Sequence, residues 1–212
     1  MSTFGRSSRP VRAKPRASRY HHGNLKEDLV NKVVRLVERS GSIDFTVREL
    51  AQACGVSIAA VYRHYSSKND LLVEVARLGF SMLHRAFAQA GQPPQPGDPP
   101  DRLGRIGRAY VQFAVEYEGY FRVMFSRTLT GLHEFARIAE IRDATFLTLV
   151  ASLAEAQGKD PSLVSVKSGE SNPNVLRSWA VVHGLSYLWL DRNLHMSREQ
   201  FESMLRDLFS HR

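Results

Sequence analysis

Residues 46–65 read Thr46-Val-Arg-Glu-Leu-Ala-Gln-Ala-Cys-Gly55-Val-Ser-Ile-Ala-Ala-Val-Tyr-Arg-His-Tyr65. Thr46 with Glu49 three positions later is a capping box, in which each side chain answers an unpaired backbone N–H of the other. A short helix therefore starts here, with Val47, Leu50 and Ala51 on its inner face. Gly55 ends it, because a sharp turn there needs a left-handed residue. Val56 fills the space behind the turn, Ser57 opens the next helix, and Ala60 and Val61 pack it inward. The outward side is then Ser57, Ile58, Ala59, Tyr62, Arg63 and His64. Small residues at a helix start, followed by an aromatic and two basic groups, suit close approach to base edges in a major groove. The stretch predicts a helix-turn-helix.

The flanks extend this reading. Asn24 and Glu27 open a first helix, with Leu25, Leu29, Val30, Val33, Val34 and Val37 at helical spacing, and Gly41 stops it. Ser67, Lys68, Asn69 and Asp70 open a longer helix that runs to about Ala90. Thr46 and Lys68 thus lie at helix N-termini, where backbone N–H groups favour a phosphate. Residues 91–100 hold five prolines, which no helix crosses. Helical patterns resume over 101–117, 133–157 and 175–193, with Gly119 as a break, 120–125 as a short apolar segment and 158–174 as a loop. Ser197 and Gln200 cap a last helix, whose stripe is Phe201, Met204, Leu205, Leu208 and Phe209. No stretch alternates as a strand does. The expected fold is all-α with about nine helices: an arm over 1–20, the helix-turn-helix domain over 21–72, and a second helical domain over 73–212.

Charge placement sharpens the partner. The net charge is +8, and Arg6, Arg9, Arg12, Lys14, Arg16 and Arg19 supply most of it from a segment without acids. A basic arm before a helical DNA reader commonly tracks the adjacent minor groove, and Arg16 and Arg19 lie nearest the first helix. With one cysteine, Cys54, and scattered histidines, the sequence offers no disulfide and no metal or cofactor site. It shows no catalytic motif either, so no enzyme is expected. No apolar run is long enough for a bilayer span, and the expected location is the cytoplasm.

Phe45-Thr46, Leu50-Ala51, Gly55-Val56-Ser57, Val61-Tyr62, His64-Tyr65, Ser67-Lys68 and Leu71-Leu72 together resemble the tetracycline-repressor family of bacterial regulators. Tyr65 stands where that family usually has Phe, and Asn69 where it has Glu. Trp179-Ala-Val-Val-His-Gly184, with Tyr120-Phe-Arg-Val-Met-Phe125 before it, resembles the WHG type of C-terminal domain in that family. The resemblance implies that Thr46, Tyr62, His64 and Lys68 contact phosphates, and that Ser57, Ile58, Ala59 and Arg63 face bases or nearby phosphates. It also implies a ligand cavity among the central helices.

Three sets of side chains fall on helical faces there: Phe80, His84 and Phe87; Tyr110, Phe113 and Tyr117; Trp179, His183 and Tyr187. Plain core packing and cavity lining both account for them. Residues 175–209 carry more apolar surface than one face needs, which predicts a homodimer through a four-helix bundle. The resulting expectation is a dimeric repressor released from a double-stranded DNA operator by a small apolar or aromatic effector. An architectural DNA-binding protein without an effector is the alternative, and the large aromatic-rich second domain argues against it.

Overall fold

The computed structural model describes residues 25–130, 133–160 and 172–210. The arm, with Arg16 and Arg19, and the cap expected at Asn24 lie outside these residues. Among the described residues every regular element is a helix: α1 (Leu25–Ser40), α2 (Val47–Cys54), α3 (Ile58–Tyr62), α4 (Lys68–Ala90), α5 (Arg102–Glu116), α6 (Glu118–Met124), α7 (Arg127–Thr130), a 3₁₀ segment (His133–Ile138), α8 (Ala139–Ala156), α9 (Pro173–Leu190) and α10 (Arg198–Ser210). The expected count of about nine is met once the single turn α7 is set aside.

α1 to α3 form the small domain. Val33, Val37, Leu50, Cys54 and Val61 meet in its centre, each at most 2 % exposed. Tyr65 closes the base, buried, with its hydroxyl 3.4 Å from the Lys26 carbonyl. α4 leaves this domain and runs into the second one, where Leu72, Val75, Ala76, Phe80, Leu83 and Phe87 face the core. α5, α6 and α8 pack around that far half, and α9 packs on α5 and α8.

Two glycines bring helices close. A Cβ on Gly79 would lie 2.5 Å from the Met124 sulfur, so α4 and α6 touch there. A Cβ on Gly119 would lie 2.5 Å from the Val34 carbonyl oxygen, so α6 also sits directly on α1. The structure therefore corrects the reading of Gly119 as a break. The break is two residues earlier, at Tyr117, which ends α5 and begins α6 with an irregular backbone.

Other boundaries also moved. Residues 133–138 form a 3₁₀ segment rather than the start of one long helix. α9 begins at Pro173, not Val175: the Asn172 side chain accepts the Asn174 N–H at 2.9 Å, and a proline in the first turn loses no helical hydrogen bond.

Candidate DNA interface and ligand cavity

The helix-turn-helix is built by local chemistry. Thr46 Oγ1 accepts the Glu49 N–H at 3.1 Å, and Glu49 Oε2 accepts the Thr46 N–H at 2.7 Å, completing the capping box. These bonds to Thr46 hold the Glu49 carboxyl below the usual carboxylate range. Gly55 takes φ +68°, and the Gly55 and Val56 N–H groups return to the Gln52 and Ala51 carbonyls at 3.1 and 3.0 Å. That pair of bonds is the Schellman arrangement, which only a left-handed residue completes cheaply. Ser57 Oγ accepts the Ala60 N–H at 3.2 Å and starts α3.

The outward residues emerge as the sequence places them. Ser57, Ile58, Ala59, Tyr62, Arg63 and His64 are exposed, with Ile58 at 38 % and Tyr62 at 49 %. Val61, between them, is buried. Exposed apolar and aromatic groups on a five-residue helix stabilise nothing within the chain, so this face is available to a partner. Lys68 sits differently from a plain surface lysine. Its ammonium donates to the Ile43 carbonyl at 2.7 Å and lies 4.4 Å from the centre of the Phe45 ring. Burial lowers its pKa, while Asp44 and Glu49 pull the other way. The group thus ties the α1–α2 loop, through Ile43 and Phe45, to the first turn of α4.

The aromatic sets do not meet as one. A cavity of about 490 Å³ opens between α4, α5, α6, α8 and α9. Phe80, Phe87, Tyr110 and Trp179 line it, as four of the nine sequence candidates. His183 stands behind the wall, its Nδ1 2.8 Å from the Tyr110 hydroxyl, and Tyr187 packs on the imidazole at 5.1 Å between centroids. Burial pushes the Tyr110 phenol far above its ordinary range and lowers the His183 pKa, so both groups are neutral near pH 7.

Phe113 and Tyr117 lie elsewhere. Their rings pair at 5.3 Å and border a separate, more polar groove of about 580 Å³ between α4 and α5. Tyr110, Phe113 and Tyr117 share a narrow helical face, but at about 1.5 Å per residue it extends roughly 10 Å along the axis and borders two separate spaces. His84 borders neither, and its buried Nδ1 has no hydrogen-bond partner among the described residues.

Sequence reasoning missed Phe125, Arg142, Asp143, Thr145, Phe146 and Leu149 as further cavity lining. Phe125 stood out only as a family feature. The α8 residues carried no signal, because the apolar residues of that helix are spread around it and leave no one-sided pattern to read.

On α9, Trp179 and His183 face inward, while Val181 and Leu188 are 44 and 42 % exposed on the opposite side. Gly184 lies between them, and a Cβ there would meet nothing within 4 Å. Leu208 on α10 is 46 % exposed, but Phe201 and Leu205 are buried inside the protomer. Phe201 stacks on Trp189 at 4.3 Å. The expected bundle stripe on α10 is thus split, with part of it already used. No described helix is long and apolar enough to cross a membrane.

A family model for the tetracyclin repressor-like C-terminal domain matches residues 103–208, and one for bacterial regulatory proteins of the tetR family matches residues 34–75. An uncharacterized HTH-type transcriptional regulator, YerO of Bacillus subtilis (strain 168), is 33 % identical over 75 residues, which span 33 % of this chain and 26 % of that one. Solved structures share the fold over nearly the whole chain. A Rhodococcus sp. RHA1 protein of unknown function has TM-score 0.66 at 24 % identity, covering 92 % of this chain and 97 % of its own. The TetR family transcriptional regulator PfmR of Thermus thermophilus has TM-score 0.61 at 23 % identity, covering 85 and 96 %. AibR, solved with isovaleryl coenzyme A and operator DNA, has TM-score 0.60 at 17 % identity, covering 87 and 98 %. With one family model over the helix-turn-helix and another over half of the chain, this protein belongs to the tetracycline-repressor family, whose members are DNA-binding transcription regulators rather than enzymes.

Proposed function

We propose that the protein is a homodimeric repressor whose operator affinity is lowered by a small apolar or aromatic effector bound in the 490 Å³ cavity. One observation carries this reading: α4 belongs to both sites. Its first turn holds Lys68 against Ile43 and Phe45, in the loop that leads into the helix-turn-helix, and its far half puts Phe80 and Phe87 in the cavity wall. A ligand that tilts the far half changes the separation of the two recognition helices in a dimer, and half-site spacing is fixed. A 100-fold loss of operator affinity requires about 2.7 kcal/mol of differential ligand binding between the two states.

At the operator, Ser57, Ile58, Ala59 and Arg63 face bases, while Thr46, Tyr62, His64 and Lys68 hold phosphates. Arg16 and Arg19 enter the neighbouring minor groove. The exposure of α3 and the two capped helix starts support these roles. AibR, with DNA and a coenzyme A ester bound, is one protein of this fold in which both partners occur.

The test selects an operator from random duplexes and follows its anisotropy while metabolite fractions are added. Release of DNA with the added compound recovered unchanged supports the proposal. Indifference to every fraction favours an architectural protein without an effector.

A further inference from the structure

The charges around the cavity say what kind of molecule it accepts. Among the described residues its lining carries one cation and one anion, Arg142 and Asp143, and these neighbours bind each other, guanidinium to carboxylate, at 2.8 Å. Each is just over a third exposed, so the pair sits at the rim. Deeper in, Thr145 spends its hydroxyl on the Ile141 carbonyl at 2.7 Å. The other hydroxyl in the lining is that of Tyr110, bonded to a neutral His183. Among the described lining residues a ligand carboxylate or phosphate would meet no cation that Asp143 does not already face, and an unpaired charge in such surroundings is costly.

The walls carry the rest of the argument. Among the described residues six aromatic rings line the cavity, from α4, α5, the end of α6, α8 and α9. Phe146 and Trp179 cross at 76°, and Phe80 and Phe125 at 73°, so ring edges and faces are both presented inward. Flat rings gain from edge-to-face and offset contacts beyond the area they bury, whereas a flexible chain loses rotamer freedom for contacts of no such geometry.

Resting on the reading of this cavity as the effector site, we propose that it takes an uncharged, multi-ring aromatic molecule with one hydrogen-bonding group, met by Tyr110. It discriminates against carboxylates and acyl-coenzyme A esters, although a protein of the same fold binds one. The Arg142–Asp143 pair enforces that choice: the carboxylate cancels the cation that an anionic head group would use.

The experiment uses the full chain and two fluorescent probes with the same rings, N-phenyl-1-naphthylamine and its sulfonated analogue 1-anilinonaphthalene-8-sulfonate. The neutral probe should bind at least about tenfold more tightly, since a buried unpaired charge costs more than the roughly 1.4 kcal/mol that a factor of ten represents. Neither dodecanoate nor isovaleryl coenzyme A should displace it. Phe146→Ala, at a half-buried position, should weaken the neutral probe. Asp143→Ala should shift the preference toward the sulfonate, because Arg142 then lacks this carboxylate. Equal affinities, displacement by either acyl compound, or an unmoved preference in Asp143→Ala would overturn the ligand class and leave the effector reading standing. If no probe binds, or Phe146→Ala changes nothing, the cavity is not a ligand site and both readings fall together.

Discussion

Lys68 shows how far a single residue can be read. Its position at a helix start was legible, because Ser67 and Asp70 announce the cap within four residues. The inward bend of its side chain was not, since Ile43 and Phe45 arrive from another loop. An ammonium has three donors, and one is used here. Lys68→Ala is expected to weaken binding to all duplexes alike and to lower the salt slope by about 1. It should also lower the melting temperature, as the Ile43 carbonyl loses its donor and Phe45 its cation. Anisotropy at two salt concentrations measures the first effect, and an unchanged slope takes Lys68 off the phosphate list. Tyr65 gives a second test. Burial, helped by Glu74 and Asp70, pushes its phenol from 10.0 up to about 12. The folded state therefore holds the proton through a range where the unfolded chain gives it up. Its contribution is intact below pH 10 and is lost as pH rises toward about 12. Tyr65→Phe should flatten denaturant midpoints measured across that range, and equal slopes in both proteins would contradict the linkage.

Elements obey the same division between local and distant causes. Both ends of α2 and the start of α3 were legible because Thr46, Gly55 and Ser57 each settle a backbone bond a few positions away. α6 was misread because Gly119 is a packing device here, and the Val34 carbonyl that demands it lies on another helix. α6 then joins three parts of the molecule. Gly119 meets α1, Met124 and Phe125 reach the cavity, and Arg122 ties Glu118 to the Asp191 carboxylate and the Leu190 carbonyl at the end of α9. Gly119→Ala should cost about 1–3 kcal/mol, because its Cβ meets backbone that cannot turn aside. Gly184→Ala, with open space around it, should instead leave the isolated protomer unchanged or up to about 1 kcal/mol more stable from helix propensity alone. Urea unfolding of the two variants side by side checks this. Equal effects would mean that α1 and α6 are not in the contact described.

At the scale of the whole molecule the open question is the second copy. A single helix-turn-helix reads few base pairs, and a dimer gains both sequence length and avidity. The all-α architecture, with a helix-turn-helix ahead of a second helical domain, was legible because helix starts, glycine stops and the proline-rich break are written locally. Which apolar residues serve the protomer and which serve a partner was not, because both kinds repeat at the same helical spacing. The structure separates them. Leu205 is 2 % exposed and belongs to the protomer core, so Leu205→Glu should destabilise the fold by several kcal/mol whatever the assembly. Leu176, Val181, Leu188 and Leu208 are left exposed, and the small exposed Ala180 and Gly184 would let a second α9 approach closely. Leu188→Glu is therefore expected to keep the wild-type helicity and to sediment as a monomer. Its operator affinity should fall steeply, while its weak, salt-sensitive binding to a single half-site survives. Gly184→Leu should act in the same direction by holding the two helices apart. The dimer surface is misplaced if Leu188→Glu sediments with the wild-type mass, and absent if the wild type is itself a monomer at the concentrations where it binds its operator.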